Sequence, residues 1–132
     1  GDYETALKYL EDSLKIRQEI GDKSGEGTTL NNISQIYYTR GEYDTALKYL
    51  EDSLKISQEI GDKSGICATL YNLGYIYMVN KEHAKAFSNW ITVYKIANKM
   101  REAQALQNLE SLAIKLGGKG LEFWEELATK EK

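Results

Sequence analysis

A sixteen-residue stretch occurs twice with two acidic exchanges, Asp2 against Glu42 and Glu4 against Asp44, and nothing else constrains this chain so tightly. Gly1-Asp2-Tyr3-Glu4-Thr5-Ala6-Leu7-Lys8-Tyr9-Leu10-Glu11-Asp12-Ser13-Leu14-Lys15-Ile16 returns as Gly41-Glu42-Tyr43-Asp44-Thr45-Ala46-Leu47-Lys48-Tyr49-Leu50-Glu51-Asp52-Ser53-Leu54-Lys55-Ile56, a period of forty residues from Gly1 to Gly41. The match continues through Gln18-Glu19-Ile20-Gly21-Asp22-Lys23-Ser24-Gly25 and Gln58-Glu59-Ile60-Gly61-Asp62-Lys63-Ser64-Gly65. A weaker third copy begins near Lys81, with Ala86, Phe87, Trp90, Lys95 and Ile96 in register. Such a period belongs to stacked helical hairpins, units that bury their apolar faces only against their neighbours.

Within the repeat the apolar residues Tyr43, Ala46, Leu47, Leu50, Leu54 and Ile60 recur at threes and fours, and no stretch alternates as a strand would. Proline is absent, and glycine punctuates the pattern. In Gly21-Asp22-Lys23-Ser24 and Gly61-Asp62-Lys63-Ser64 the Gly stops one helix and the Ser is expected to cap the next. The spacing predicts helices over Tyr3–Ile20, Gly25–Thr39, Glu42–Ile60, Gly65–Val79, Glu82–Lys99, Arg101–Leu116 and Leu121–Lys130. Connectors as short as Arg40-Gly41 and Asn80-Lys81 require antiparallel neighbours. The expected fold is therefore all-α, an α-solenoid of about seven helices in antiparallel hairpins. Residues 1–132 read as one array: an orphan second helix over 1–20, repeats over 25–60 and 65–99, and a degenerate terminal repeat over 101–131.

Composition excludes several function classes. A net charge of −3, without blocks of like charge, gives no basic face for nucleic acid. No apolar run reaches the roughly 18 residues that a membrane span needs. The single cysteine, Cys67, cannot form an internal disulfide and fits a reducing compartment, so a cytoplasmic location is expected. Cys67 and the single histidine, His83, are too few for a zinc site, and no metal or other cofactor is expected. They also sit at the starts of successive helices, a separation of about 20 Å along the helix, far outside the reach of a catalytic dyad. Gly61-Asp62-Lys63-Ser64-Gly65 lacks the Gly-Lys-Ser/Thr ending of a phosphate loop, and Asn32-Ile33-Ser34, although a glycosylation sequon by pattern, falls within a helix. No catalytic constellation is present, and the chain is not expected to be an enzyme. The first residue is Gly1 rather than Met, which reads as a segment of a longer polypeptide.

Leu70, Asn72-Leu73-Gly74, Ile76-Tyr77, Ala86, Trp90 and Ile96 together form a known pattern, repeated earlier as Leu30, Ile33-Ser34, Tyr37, Gly41, Tyr43, Ala46 and Leu50. The chain resembles the tetratricopeptide repeat, which places a large residue, then Leu-Gly, then Tyr on a first helix, with an Ala and a large apolar residue on the second. A third first helix carries Leu106, Leu109 and Ala113, with Glu110 where the glycine would be. The repeat is longer than the usual one, and Gly-Asp-Lys-Ser stands where a proline commonly ends it. This long form is similar to the repeats of kinesin light chains, of Leu-Gly-Asn-type polarity adaptors and of bacterial multi-repeat signalling proteins.

The resemblance implies a scaffold for protein–protein interaction whose first helices line a concave groove, able to hold an extended peptide or partner segment. Helical geometry then points Thr28, Asn31, Asn32, Gln35, Tyr38 and Thr39 into that groove. On the next first helix the equivalents are Ala68, Tyr71, Asn72, Tyr75 and Met78, and on the third Gln104, Gln107, Asn108, Ser111 and Lys115. Asn32, Asn72 and Asn108 recur at one place on all three, and an amide that both donates and accepts can pair with any peptide backbone. The expected peptide-binding residues are Asn31, Asn32, Gln35, Tyr38, Tyr71, Asn72, Tyr75, Gln104 and Asn108; the plainer reading is that the asparagines bridge neighbouring helices. All of these positions are neutral, which argues against a Lys/Arg clamp for a C-terminal carboxylate.

Without an upstream helix, Tyr3, Ala6, Leu7, Leu10 and Leu14 are expected to face solvent and to drive self-association, as a homodimer or a helix-exchanged oligomer. The alternative function is thus a structural or oligomerising spacer. Trp124 reads equally well as a cap on the last hairpin or as an exposed anchor.

Overall fold

Glycine and aspartate divide the labour at the turns. In the computed structural model, which describes residues 2–130, the elements run α1 (Asp2–Ile20), α2 (Lys23–Thr39), α3 (Tyr43–Ile60), α4 (Lys63–Val79), α5 (His83–Met100), α6 (Ala103–Lys115) and α7 (Leu121–Lys130). Gly1, which opens the first repeat, and Glu131, which ends the expected terminal one, lie outside the described residues. Among the described residues there are helices and turns but no strand, as the period requires, and each boundary lies within about two residues of its expected place.

The α1–α2 and α3–α4 turns are built the same way. Gly21 and Gly61 take left-handed φ values of 73° and 68°, a conformation that costs glycine little. The following amides reach back, Gly61 N to Gln58 O at 3.3 Å and Asp62 N to Ser57 O at 2.9 Å, so that the last carbonyls of α3 are satisfied. The Asp side chain then starts the next helix: Asp22 Oδ1 accepts from Gly25 N at 2.9 Å and Asp62 Oδ1 from Gly65 N at 3.0 Å. The caps are therefore Asp22 and Asp62 rather than the expected Ser24 and Ser64, because aspartate alone sits three residues ahead of the amide it receives. Hydrogen bonds from Gly25 N and from the Arg17 guanidinium hold the Asp22 carboxyl below its ordinary range. Lys81 and Arg101 take the same left-handed backbone, φ 63° and 61°, without being glycine.

The chain divides into two compact units, Gly1–Thr69 and Leu70–Lys132, with the boundary inside α4. In the first, α2 packs on both α1 and α3. Leu30, Ile33, Ala46 and Leu50 form its buried core. A small polar node lies beside them. Ser53 Oγ donates to Gly27 O at 2.8 Å and lies 3.2 Å from Thr69 Oγ1, which also accepts from Asn31 Nδ2 at 3.3 Å. Gly27 faces Ile56, Ser57 and Ser53, and a Cβ there would meet them in ordinary van der Waals contact at 3.7 to 3.8 Å.

In the second unit α5, α6 and α7 pack on one another. Trp90, Val93, Leu109 and Trp124 are fully buried. The indole of Trp90 donates to Tyr71 O at 3.0 Å and that of Trp124 to Leu109 O at 2.7 Å. In this unit α5 and α7 are thus each tied to a carbonyl of the helix before them by a tryptophan. Trp124 is a core residue of the last hairpin, and the Gly117 to Gly120 bend is a turn between packed helices.

Candidate functional site

First-helix side chains that escape this packing are the ones available to a partner. On α2, Thr28, Asn32, Gln35 and Thr39 are exposed. Tyr38 is half-buried, its ring edge-on to Tyr43 at 5.3 Å. Asn31 leaves the expected set, because it is buried and its amide is held by Thr69. One residue of helical rotation separates the two outcomes: Asn32 points outward and Asn31 inward.

The second unit gathers its residues into a cluster. Tyr71 Oη lies 3.0 Å from Tyr75 Oη and donates to Asn108 O at 3.4 Å. Gln104 Nε2 donates to Asn108 Oδ1 at 3.0 Å. With its proton directed at the Asn108 carbonyl, Tyr71 is left to accept from Tyr75. The Tyr71 and Tyr75 rings meet edge to face at 5.2 Å, and Tyr75 meets Trp90 in the same way at 5.5 Å. Burial pushes the Tyr71 phenol well above its ordinary value, so it stays a neutral donor. Asn72 is half-buried on α4 beside Tyr71. Of the expected residues, the structure brings together Tyr71, Tyr75, Gln104 and Asn108, while Asn32, Gln35 and Tyr38 stand on α2 in the other unit.

Sequence reasoning did not find what supports the cluster. Gly74 leaves room for the Trp90 indole, since a Cβ there would overlap it. Trp90 in turn backs Tyr75. The hint was present as the pair Gly74/Trp90 standing where the earlier repeat has Ser34/Leu50.

The expected self-association stripe is also redrawn. Leu7 is only 8% exposed, and Leu10 and Leu14 are half-buried, because α2 already covers that side of α1. Tyr3 remains exposed. The open apolar side chains are instead Tyr9, 72% exposed, Ile16, 57%, and Ile20, 70%. Cys67 is buried and His83 exposed, and among the described residues no group of His, Cys, Asp or Glu is placed to hold a metal ion. Nor is any described helix long and apolar enough to cross a membrane.

Comparison with known proteins gives a consistent answer. A family model described as tetratricopeptide repeat matches residues 1–59. No curated protein matches the chain. Among solved structures, the crystal structure of BtubC (BKLC) from P. vanneervenii is similar with a TM-score of 0.71 and 20% identity, over 98% of this chain and 56% of that one. This chain therefore spans little more than half the length of that neighbour, and the likeness is one of fold. The tetratricopeptide repeat pattern is thus matched over residues 1–59, and the likeness of fold to that neighbour extends over nearly the whole chain.

Proposed function

We propose that the chain is a protein-interaction module that holds an extended, uncharged peptide segment on its first-helix faces. Tetratricopeptide repeats mediate protein–protein interaction, and such scaffolds are typically non-enzymatic. The observation that carries the finer reading is the Tyr71–Tyr75–Asn108–Gln104 cluster, in which aromatic edges and amide groups of no net charge are held together by their own hydrogen bonds. Tyrosine supplies contact area at small entropic cost, and an Asn or Gln amide can pair with main-chain N–H and C=O alike. Asn72, one residue from Tyr71, adds a further amide, and Asn32 and Gln35 offer the same chemistry on α2.

The test is selection of binders from a display library of fifteen-residue peptides, followed by affinity measurement on variants. Asn72→Ala should weaken a selected peptide by about 1–3 kcal/mol if the amide is buried against it. Changing Asn72 and Asn108 together should weaken it further. Amidating the peptide's C-terminus should leave affinity unchanged, because no cationic clamp is engaged. Equal affinity of wild type and the Asn72 variant, with Tyr75→Ala also silent, would remove this face from the account. Self-association is the second reading, favoured by the exposed Tyr9, Ile16 and Ile20. Sedimentation of the chain across a concentration series distinguishes it.

A further inference from the structure

Three side chains of the second unit close a circuit through four helices. The Trp90 indole on α5 donates to Tyr71 O of α4 at 3.0 Å, and the Trp124 indole on α7 donates to Leu109 O of α6 at 2.7 Å. The two rings meet edge to face, their centres 5.9 Å apart. On the far side the Tyr71 hydroxyl donates to Asn108 O at 3.4 Å, the carbonyl next to the one that Trp124 holds. Both helices that build the Tyr71–Tyr75–Asn108–Gln104 cluster are thus held from behind by an indole N–H, and the indoles press on one another. An indole only donates, and a helix carbonyl has a second lone pair to receive it. Both indoles are buried, so an N–H that lost its acceptor would have no water to turn to. In the first repeat Leu50, which has no N–H, stands in place of Trp90, and Asn31 in place of Tyr71. The indole bracket accompanies the tyrosines rather than the repeat.

We infer that Trp90 and Trp124 are positioning residues for the peptide-binding face proposed above. Together they fix the gap between α4 and α6 that Tyr71 spans, and through Trp124 the docking of α7 is coupled to occupation of that face. The inference rests on the peptide reading for its ligand, not for its geometry. Being buried, neither indole meets the peptide; each acts through Tyr71, Tyr75 or Asn108. A gap set in advance lowers the cost of ordering the site on binding. Linkage is reciprocal, so a peptide that binds better when α7 is docked must in turn hold α7 in place. With ten residues α7 is shorter than the other described helices, and the bend from Leu116 to Gly120 joins it in place of a two-residue joint.

The probe is a library-selected peptide whose affinity for the intact chain falls with Tyr75→Ala. Trp90→Phe and Trp124→Phe keep a ring and remove the N–H, and each should weaken that peptide by about fivefold or more. Val93→Ala thins the same core at a buried α5 residue outside the circuit and should leave affinity unchanged. The chain's two tryptophans are both in the bracket, so its two indole resonances report on it directly. In the wild-type chain, which needs no variant to fold, saturating peptide should slow hydrogen exchange of the Trp124 indole and of the α7 amides by about fivefold or more. In the free chain Trp124→Phe should speed amide exchange at Tyr71 and Tyr75, on α4, while Val93→Ala does not. Affinity indifferent to both Phe variants, an equal loss with Val93→Ala, or α7 exchange that ignores the peptide overturns the inference. A selection that yields no Tyr75-dependent peptide overturns the peptide reading and with it the coupling, and the free-chain exchange still decides whether the indoles position Tyr71.

Discussion

Gly74 and Trp90 are matched in size across the α4–α5 contact, at the positions that the buried Ser34 and Leu50 hold in the first repeat. Ser34 is buried and satisfied by the Asn31 carbonyl at 2.6 Å, so the α2 backbone there tolerates a side chain where α4 has none. The reason is the partner, because a Cβ at position 74 would overlap the indole. Gly74→Ser should therefore destabilise the chain by about 1–3 kcal/mol, the usual cost of overpacking. Combining it with Trp90→Leu should cost less than the sum of the two single changes, and urea unfolding of the four proteins in the cycle measures the coupling. Arg101 carries a different burden. Its φ of 61° is one that L-residues avoid, in the place where Gly21 and Gly61 end the earlier helices. Arg101→Gly should raise stability by about 0.5–1 kcal/mol, partly offset by the freedom glycine gains in the unfolded chain, and the urea midpoint reports it.

At the scale of the helix, the seven segments were legible because each carries its period of threes and fours between glycine-bearing stops. What the sequence left open was rotation about the helix axis. Asn31 and Asn32 are adjacent, and the pattern admitted both to the groove, yet packing on Thr69 takes one of them inward. Similarly, Leu7, Leu10 and Leu14 looked unpartnered on α1 until α2 was seen to cover them, and the open side proved to be that of Tyr9 and Ile16. The twin in α3 was the signal that could have shown this, since Tyr49 and Ser53 lie on the side that meets α2. The terminal helix α7 was the hardest to read, because its bend contains glycines in place of the Gly-Asp device. Trp124 settles its place: the side chain is fully buried, bonded to Leu109 O and packed against Phe87, Phe123 and Trp90. Trp124→Ala should cost about 3–5 kcal/mol, seen as a lower thermal midpoint together with loss of amide protection in α7.

For the molecule as a whole, buried phenols set an alkaline limit. Burial is the first cause that raises Tyr71, Tyr49 and Tyr94 above the ordinary value of 10.0, with nearby carboxylates adding to it at Tyr49 and Tyr94. The folded chain thus keeps protons that the unfolded chain gives up, and the unfolded state binds fewer protons once pH passes about 10. Their contribution is complete below that pH and is lost as pH rises toward the folded values. Stability should therefore fall steadily above about pH 10 in chemical unfolding experiments, and Tyr71→Phe should make the fall shallower. A fall no shallower in the variant would mean that Tyr71 is not among the groups responsible.

The Gly-Asp joints have one more consequence. Between α1 and α2, and again between α3 and α4, only two residues lie outside the helices, one closing the first and one opening the second. Such a hinge has no slack. A single inserted amino acid would swing whatever follows through about 100° and advance it by about 1.5 Å if it joined either helix, turning buried rows outward. Length variation among natural versions of this chain should accordingly avoid these two joints and collect in the bend from Leu116 to Gly120, where five residues can absorb it.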